Sequence, residues 1–271
     1  MFGAICGDVI GRPFEFDHPS TTKDFELFSE GSRFSDDTVL TMAVARATID
    51  GTPYWNALVD YGLAYKDTGF AGNFTTWLAN PSQGRGVMRC NGAAMRVSPV
   101  AWLARDMAHT LSLAMESAKP THDTHEGISG ALAVAAAVRL AIEGASKDEI
   151  RRHVTVLTGY DLTRTVDQIR ADYPRFKWRA SESVPEAIIC ALEANSVEDA
   201  IRNAVSLGND ADTQAGIAAA IAEPMFGIPA EILARALETL SREFRAATDR
   251  FLEATSRFRS GAGDPVTRAA R

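Results

Sequence analysis

The 271-residue sequence predicts an all-α fold, a compact single-domain helical bundle over residues 1–259, and three observations carry that expectation. Apolar residues recur with the helical period of 3.6 along most of the chain. The stretches ALAVAAAVRLAI (131–142) and AGIAAAIA (215–222) combine high helix propensity with few β-branched residues. Strand-like alternation is nearly absent, and no repeat of fixed period interrupts the pattern.

The elements follow in chain order. Gly3, Gly7 and Gly11 are spaced by four, so on a first helix they share nearly one face. Each glycine costs a helix about 1 kcal/mol relative to alanine, so a close neighbour is expected against that face. Helical periodicity then marks residues 39–49, 55–65, 93–104, 107–117, 129–142, 147–157, 185–194, 197–207, 213–222 and 229–258. Ser146 before KDEI forms a capping box and Ser196 precedes VEDAI as a cap, while Gly144 and Gly208 close the helices before them. Residues 260–271, SGAGDPVTRAAR, are expected to be a disordered tail.

The net charge of -7 offers no footprint for a nucleic-acid backbone or an anionic membrane. The longest apolar run, about 128–138, ends at Arg139, short of the roughly 20 residues a membrane span needs, and reads as a buried helix. The N-terminal MFGAICGDVIG lacks the basic start of a secretory signal. Cys6, Cys90 and Cys190 are odd in number and widely spaced, which suits reduced thiols, and a cytoplasmic location is expected.

Chemistry concentrates in two acidic clusters, each where a loop runs into a helix: Ser35-Asp36-Asp37-Thr38 and Asn209-Asp210-Ala211-Asp212-Thr213. Helix capping explains one acid per helix start. Adjacent carboxylates repel one another, and their crowding beside hydroxyls is better explained by shared hard divalent cations. Four aspartates balance two such ions, and oxygen-only donors favour Mg²⁺ or Mn²⁺ over zinc. An EF-hand is excluded, because counting from Asp210 puts Ala215 and Ile221 where that loop needs Gly and Glu.

A third segment, Gly84-Arg85-Gly86-Val87-Met88-Arg89-Cys90-Asn91-Gly92, offers backbone N–H groups and positive charge before a helix, which suits a diphosphate; a flexible surface connection is the plainer alternative. A fourth, Thr121-His122-Asp123-Thr124-His125-Glu126, pairs two histidines, with helix capping by Asp123 or Thr124 the competing explanation and contact of one histidine with substrate a further one.

Taken in order, Gly7-Asp8-Val9-Ile10-Gly11-Arg12-Pro13-Phe14-Glu15, Ser35-Asp36-Asp37-Thr38, Asn91-Gly92-Ala93-Ala94-Met95-Arg96, Thr121-His122 and Asp210-Ala211-Asp212-Thr213 resemble the motifs of the ADP-ribosylglycohydrolase family. The resemblance spans roughly Gly3 to Gly227. It implies an all-α domain with two Mg²⁺ or Mn²⁺ ions at the base of a cleft that takes the distal ribose of ADP-ribose. The implied metal ligands are Ser35, Asp36, Asp37, Asp210, Asp212 and Thr213, and Asp36, Asp37 and Asp212 count with Glu15 as catalytic. Glu15 matches a glutamate beside the metals that takes part in gating or acid–base work, and His122 a histidine that contacts the nucleotide. Gly86, Asn91 and Gly92 complete the expected substrate-binding set.

Three departures bear on specificity: Ser35 stands where threonine is usual, Asn209 where glycine is usual, and Val87 to Cys90 replace a more glycine-rich stretch. Serine still offers a hydroxyl, and asparagine tolerates a left-handed turn. The implied function is metal-dependent removal of ADP-ribose from protein side chains, arginine first, with an ADP-ribosylated protein as substrate and ADP-ribose as product. The alternatives are hydrolysis of serine-linked, nucleic-acid-linked or small-molecule conjugates, and a non-catalytic ADP-ribose-binding protein. Neither a membrane nor nucleic acid is expected as a partner.

Overall fold

The glycine stripe of the first helix meets the neighbour that its sequence requires. In the computed structural model, which describes residues 1–16, 22–81, 86–172 and 177–259, helix α1 (Phe2–Gly11) lies antiparallel against α13 (Ala211–Phe226). A Cβ built on Gly3 would stand 2.2 Å from the Ala219 carbonyl oxygen, one on Gly7 2.2 Å from that of Ala215, and one on Gly11 2.6 Å from that of Ala211. The four-residue step thus runs along both helices in register, and only glycine allows the approach. At the far end, Glu223 of α13 accepts the Gly3 N–H at 2.9 Å, an acid at a helix N-terminus.

The remaining helices are α2 (Asp36–Asp50), α3 (Tyr54–Ala64), α4 (Gly72–Ala79), α5 (Gly92–Met95), α6 (Ser98–Leu103), α7 (Met107–His122), α8 (His125–Ile142), α9 (Lys147–Thr158), α10 (Val166–Ala171), α11 (Ala180–Glu193), α12 (Val197–Val205), α14 (Ala230–Glu238) and α15 (Arg242–Arg259). No strand occurs among the described residues; Val87 pairs with His122 and Cys90 with Arg179 in isolated bridges. One contiguous apolar core runs from Met1 to Phe251. Helix α8 is long and apolar enough to cross a bilayer by length and composition alone. Here it is a core helix, with every residue from Ala133 to Val138 buried, packed against α5, α7, α9, α11 and α13.

Two expected helices are broken. The 93–104 segment divides into α5 and α6 because Pro99, near the start of α6, has no N–H to donate and its ring crowds the carbonyl four residues back. The 229–258 segment divides into α14 and α15, where the Ser241 hydroxyl accepts the Phe244 N–H at 3.2 Å and starts a new helix. Helices α4 and α10 are additions, and α7 continues through Pro120 to His122, past the expected end at Ser117. The Ser146 capping box and the Ser196 cap are present, and Gly144 and Gly208 both have positive φ. The 260–271 tail lies outside the described residues, as do Gly84 and Arg85.

Candidate active site

The register of α1 on α13 sets what lies at its end. Helix α1 finishes at Gly11 against Ala211 and Asp212, so the turn that follows, Arg12–Phe14, delivers Glu15 beside the first turn of α13. Arg12 Nη1 donates to Asp212 Oδ2 at 2.9 Å and to Glu15 Oε2. Phe16 (φ 62°) and Asn209 (φ 67°) are both left-handed, joined by a Phe16 N–H to Asn209 carbonyl bond of 3.1 Å. Asparagine meets this requirement at small cost; a phenylalanine held so is strained, a feature that gathers at functional sites.

Asp8 ties α2 to the same corner. Its Oδ2 accepts the Ser35 N–H at 3.0 Å, the Thr38 N–H at 3.1 Å and the Thr38 hydroxyl. Ser35 caps α2 by accepting the Asp37 N–H at 3.1 Å. The two acidic helix starts therefore meet: Thr213 of α13 donates its hydroxyl to Asp37 Oδ2 of α2 at 2.9 Å, across 176 residues of sequence. Asn91 closes the third side, giving Nδ2 to Asp210 Oδ2 at 2.5 Å and to the Ser183 hydroxyl at 3.2 Å.

The corner opens into a cavity of about 290 Å³. Glu15, Asp36, Asp37, Asp210, Asp212 and Thr213 form its acidic floor. Asn91, Gly92 and His122 form one wall, and Phe74, Met88 and Trp178 supply apolar surface. Gly92 is small for a reason, since a Cβ there would press on the His122 ring at 3.2 Å. His122 is buried, with Nδ1 2.7 Å from the Thr121 hydroxyl and Nε2 3.0 Å from Cys90 Sγ.

Burial and mutual repulsion raise the carboxyls together. Asp8 is pushed up to about 6, by burial first and then by Asp212, and Asp210 to about 7 for the same two reasons. Glu15 rises to about 9. Asp36 and Asp37 go well above the ordinary value, again from burial and then Asp212. Burial opposes the charge on Arg12, and Asp212 and Glu15 more than offset it.

A carboxyl raised on folding gives stability that is full below its unfolded value near 4 and is lost as pH rises through the folded value. Here that window runs from about 4 to about 7 for Asp8 and Asp210, with Glu15 extending it to about 9. The protein in chelator is expected to melt at lower temperature at pH 8 than at pH 5, and added Mg²⁺ or Mn²⁺ to raise the melting temperature more at pH 8. Scanning calorimetry at the two pH values checks both, and an ion effect equal at the two would contradict this account.

The donor set fits hard divalent cations. One oxygen each of Glu15, Asp210 and Asp212 lie within 4.8 Å of one another, and every donor on the acidic floor is oxygen. Asp8 Oδ1 is buried with no hydrogen-bond partner, and Arg12 is the cation in direct contact with Asp212 and Glu15.

Residues 1–261 match the model of the ADP-ribosylglycohydrolase family. The chain belongs to that family. Among curated relatives of this ADP-ribosylglycohydrolase, the ADP-ribosylarginine hydrolase Tri1 of Pseudomonas putida is 24% identical, over 84% of this chain and 70% of its own. The ADP-ribosylhydrolase ARH3 of Mus musculus is 26% identical, over 84% and 83%. A solved structure, an ADP-ribosylglycohydrolase-related protein complex, shares the fold with a TM-score of 0.68 at 22% identity, covering 95% of this chain and 96% of that one.

Most of the residues singled out in the sequence converge on this cavity, and two stand apart. Ser35 lies behind the floor as the cap of α2. Gly86 does not line the cavity: its N–H is engaged by the Pro120 carbonyl at 3.0 Å, and a Cβ would meet the Thr121 carbonyl oxygen at 2.3 Å, so close packing explains this glycine better than phosphate contact. In the fourth segment Thr124 caps α8 and His125 is exposed, so the two histidines do not converge. Sequence reasoning gave no role to Asp8, Arg12 or Arg96. A lone carboxylate in an otherwise apolar helix was the available signal for Asp8.

Proposed function

We propose that the chain is a metal-dependent hydrolase that frees ADP-ribose from protein side chains, with arginine as the preferred linkage. One observation carries the reading: carboxylates from three separate segments converge on a single cavity that Asn91, Gly92 and His122 also line. Family membership supplies the reaction class, and one relative is named for ADP-ribosylarginine. The acidic floor and the net charge of -7 suit a cationic guanidinium better than a phosphate backbone.

Asp36, Asp37, Asp210 and Asp212, with the hydroxyl of Thr213, would hold two Mg²⁺ or Mn²⁺ ions. Such ions supply electrostatic stabilisation of charge developing at the distal ribose as its C1''–N bond breaks. The chain's own groups prepare the rest. Asn91 orients Asp210, Thr213 orients Asp37, and Asp8 fixes the start of α2 so that both acidic turns face one point. Phe74, Met88 and Trp178 give the cavity apolar surface on which a sugar or base can pack.

Hydrolysis adds water across the C1''–N bond, and the departing nitrogen needs a proton. Glu15 is the candidate donor. In the ion-free chain burial and then Asp212 raise its carboxyl, and with Oε2 facing Arg12 the other oxygen, Oε1, is the one offered to the departing nitrogen. Glu15→Gln is expected to lower kcat by about 10²- to 10⁴-fold with the fold intact, and to remove one limb of the pH–rate profile. A wild-type rate and profile would return Glu15 to a structural role.

The deciding experiment incubates Mg²⁺- or Mn²⁺-loaded protein with arginine-linked, serine-linked and nucleic-acid-linked ADP-ribose and measures free ADP-ribose. Release from the arginine substrate is expected. Release only from another linkage would discard arginine and keep the hydrolase. Binding of ADP-ribose with no release from any substrate would make the chain a reader of the modification.

A further inference from the structure

The cavity wall carries a second chemical device that the acidic floor does not use. Cys90 is partly exposed and lines the cavity, with Sγ 3.0 Å from His122 Nε2 and 3.7 Å from Asn73 Nδ2. Behind it runs a polar chain through the core. His122 Nδ1 is 2.7 Å from the Thr121 hydroxyl, and Arg96 Nη2 donates to that hydroxyl at 2.7 Å. Arg96 also lines the cavity and is fully buried, yet its Nε and Nη1 have no hydrogen-bond partner. A buried guanidinium with two idle donors is costly unless an anionic or strongly accepting group comes to it. The chain's other thiols, Cys6 and Cys190, are fully buried.

We propose that Cys90 is a peroxide-sensitive modification site: His122, 3.0 Å from Sγ, serves as its base, and the oxidised side chain obstructs the cavity.

Burial holds the Cys90 thiol above its ordinary value and holds His122 neutral, so the pair rests as thiol and imidazole rather than as an ion pair. Reaction with hydrogen peroxide then needs a base in place, as in other Cys–His pairs. Sγ attacks one peroxide oxygen, the S–O bond forms and the O–O bond breaks. The thiol proton passes through His122 Nε2 to the departing hydroxide, which leaves as water. Sulfur is oxidised by two electrons, peroxide is reduced by two, and the product is the Cys90 sulfenic acid. No second thiol is placed to form a disulfide with it, because Cys6 and Cys190 are enclosed in the core, so an external thiol is needed to reverse the change. The added oxygen enlarges a side chain that lines the cavity beside Gly92 and His122.

The modification stands apart from the proposed hydrolase function, whereas its effect on ligand binding rests on that reading. The full chain is treated with hydrogen peroxide, the sulfenic acid trapped with dimedone, and the adduct mapped by peptide mass spectrometry. The adduct is expected on Cys90 and on neither Cys6 nor Cys190, and His122→Gln is expected to slow its formation by about tenfold or more. ADP-ribose at about ten times its Kd should also slow it about tenfold, because the free fraction falls by that factor. An adduct found only after denaturation, or one formed at the parent rate in a folded His122→Gln protein, would overturn the site. Calorimetry with ADP-ribose separates the two ideas. Loss of affinity on oxidation, restored by a thiol reductant, supports obstruction, and equal affinity before and after refutes it. A reduced protein that bound no ADP-ribose would refute the proposed function while the dimedone result still decided the thiol.

Discussion

Asp36→Ala is expected to reduce hydrolysis by at least about a hundredfold, and to raise the melting temperature of the protein measured in chelator. Both effects come from one carboxylate. Asp36 is the first residue of α2, partly buried, with its carboxyl pushed up by burial and by repulsion from Asp212 and Asp8. The start of α2 does not depend on it, since Ser35 caps the helix and Asp8 holds Ser35 and Thr38. Deleting the carboxylate therefore removes repulsion and leaves the helix anchored. Each kcal/mol so relieved raises the melting temperature of a protein this size by about 2–4 °C. With Mg²⁺ or Mn²⁺ present the order should reverse, because the parent gains an ion and the variant has lost a ligand. Activity assays, unfolding scans with and without chelator, and ion titration calorimetry test the whole pattern. A variant that lost activity and was also less stable in chelator would show that Asp36 matters for folding rather than for the site.

The fold was legible in the sequence where local physics decides it. The helical period, the Ser146 and Ser196 caps and the glycine stripe depend on neighbours within a turn or on the mere existence of a close partner. The broken helices were less so, because amphipathic pattern runs on across residues 93–104, and only Pro99 signalled the break between α5 and α6. Helix α10 carries a capping box at Thr165 and Gln168, visible as T-x-x-Q, but its six residues are too short for periodicity to register.

The site divides the same way. Crowded carboxylates at 36–37 and 210–212 announce themselves by composition, and the Thr213–Asp37 bond joins clusters that the sequence leaves 176 residues apart. Arg12 gave no such signal, because an arginine after a helix is usually a solvated end group. It becomes part of the site only through the register of α1 on α13, which sets it against Asp212. Arg96 is similar: a charged residue in NGAAMR, four positions after a glycine, does not reveal from its neighbours that it is fully buried.

That register rests on Gly7, and Gly7→Ala is the second large effect expected. In an ordinary exposed helix this change would stabilise by about 1 kcal/mol. Here the new Cβ would lie 2.2 Å from the Ala215 carbonyl oxygen, 2.3 Å from its carbonyl carbon and 2.5 Å from the Gly216 nitrogen. All three are backbone atoms of α13, so no side chain can swing aside, and the two helices must part along their length. Overpacking of this kind costs about 3 kcal/mol or more. Gly72 is the control: it opens α4, and a Cβ there meets nothing within 4 Å, so Gly72→Ala should be neutral or slightly stabilising. Urea midpoints for the two variants should therefore move by very different amounts, with the Gly7 variant far below the parent. The displacement also reaches chemistry, because parting α1 from α13 draws Arg12 and Glu15 away from Asp212. The folded fraction of the Gly7 variant should thus bind Mg²⁺ or Mn²⁺ more weakly than the parent does. Parent-like stability in that variant would mean that the helices are not packed backbone to backbone, and ion affinity equal to the parent's in a destabilised variant would mean that the site does not depend on their register.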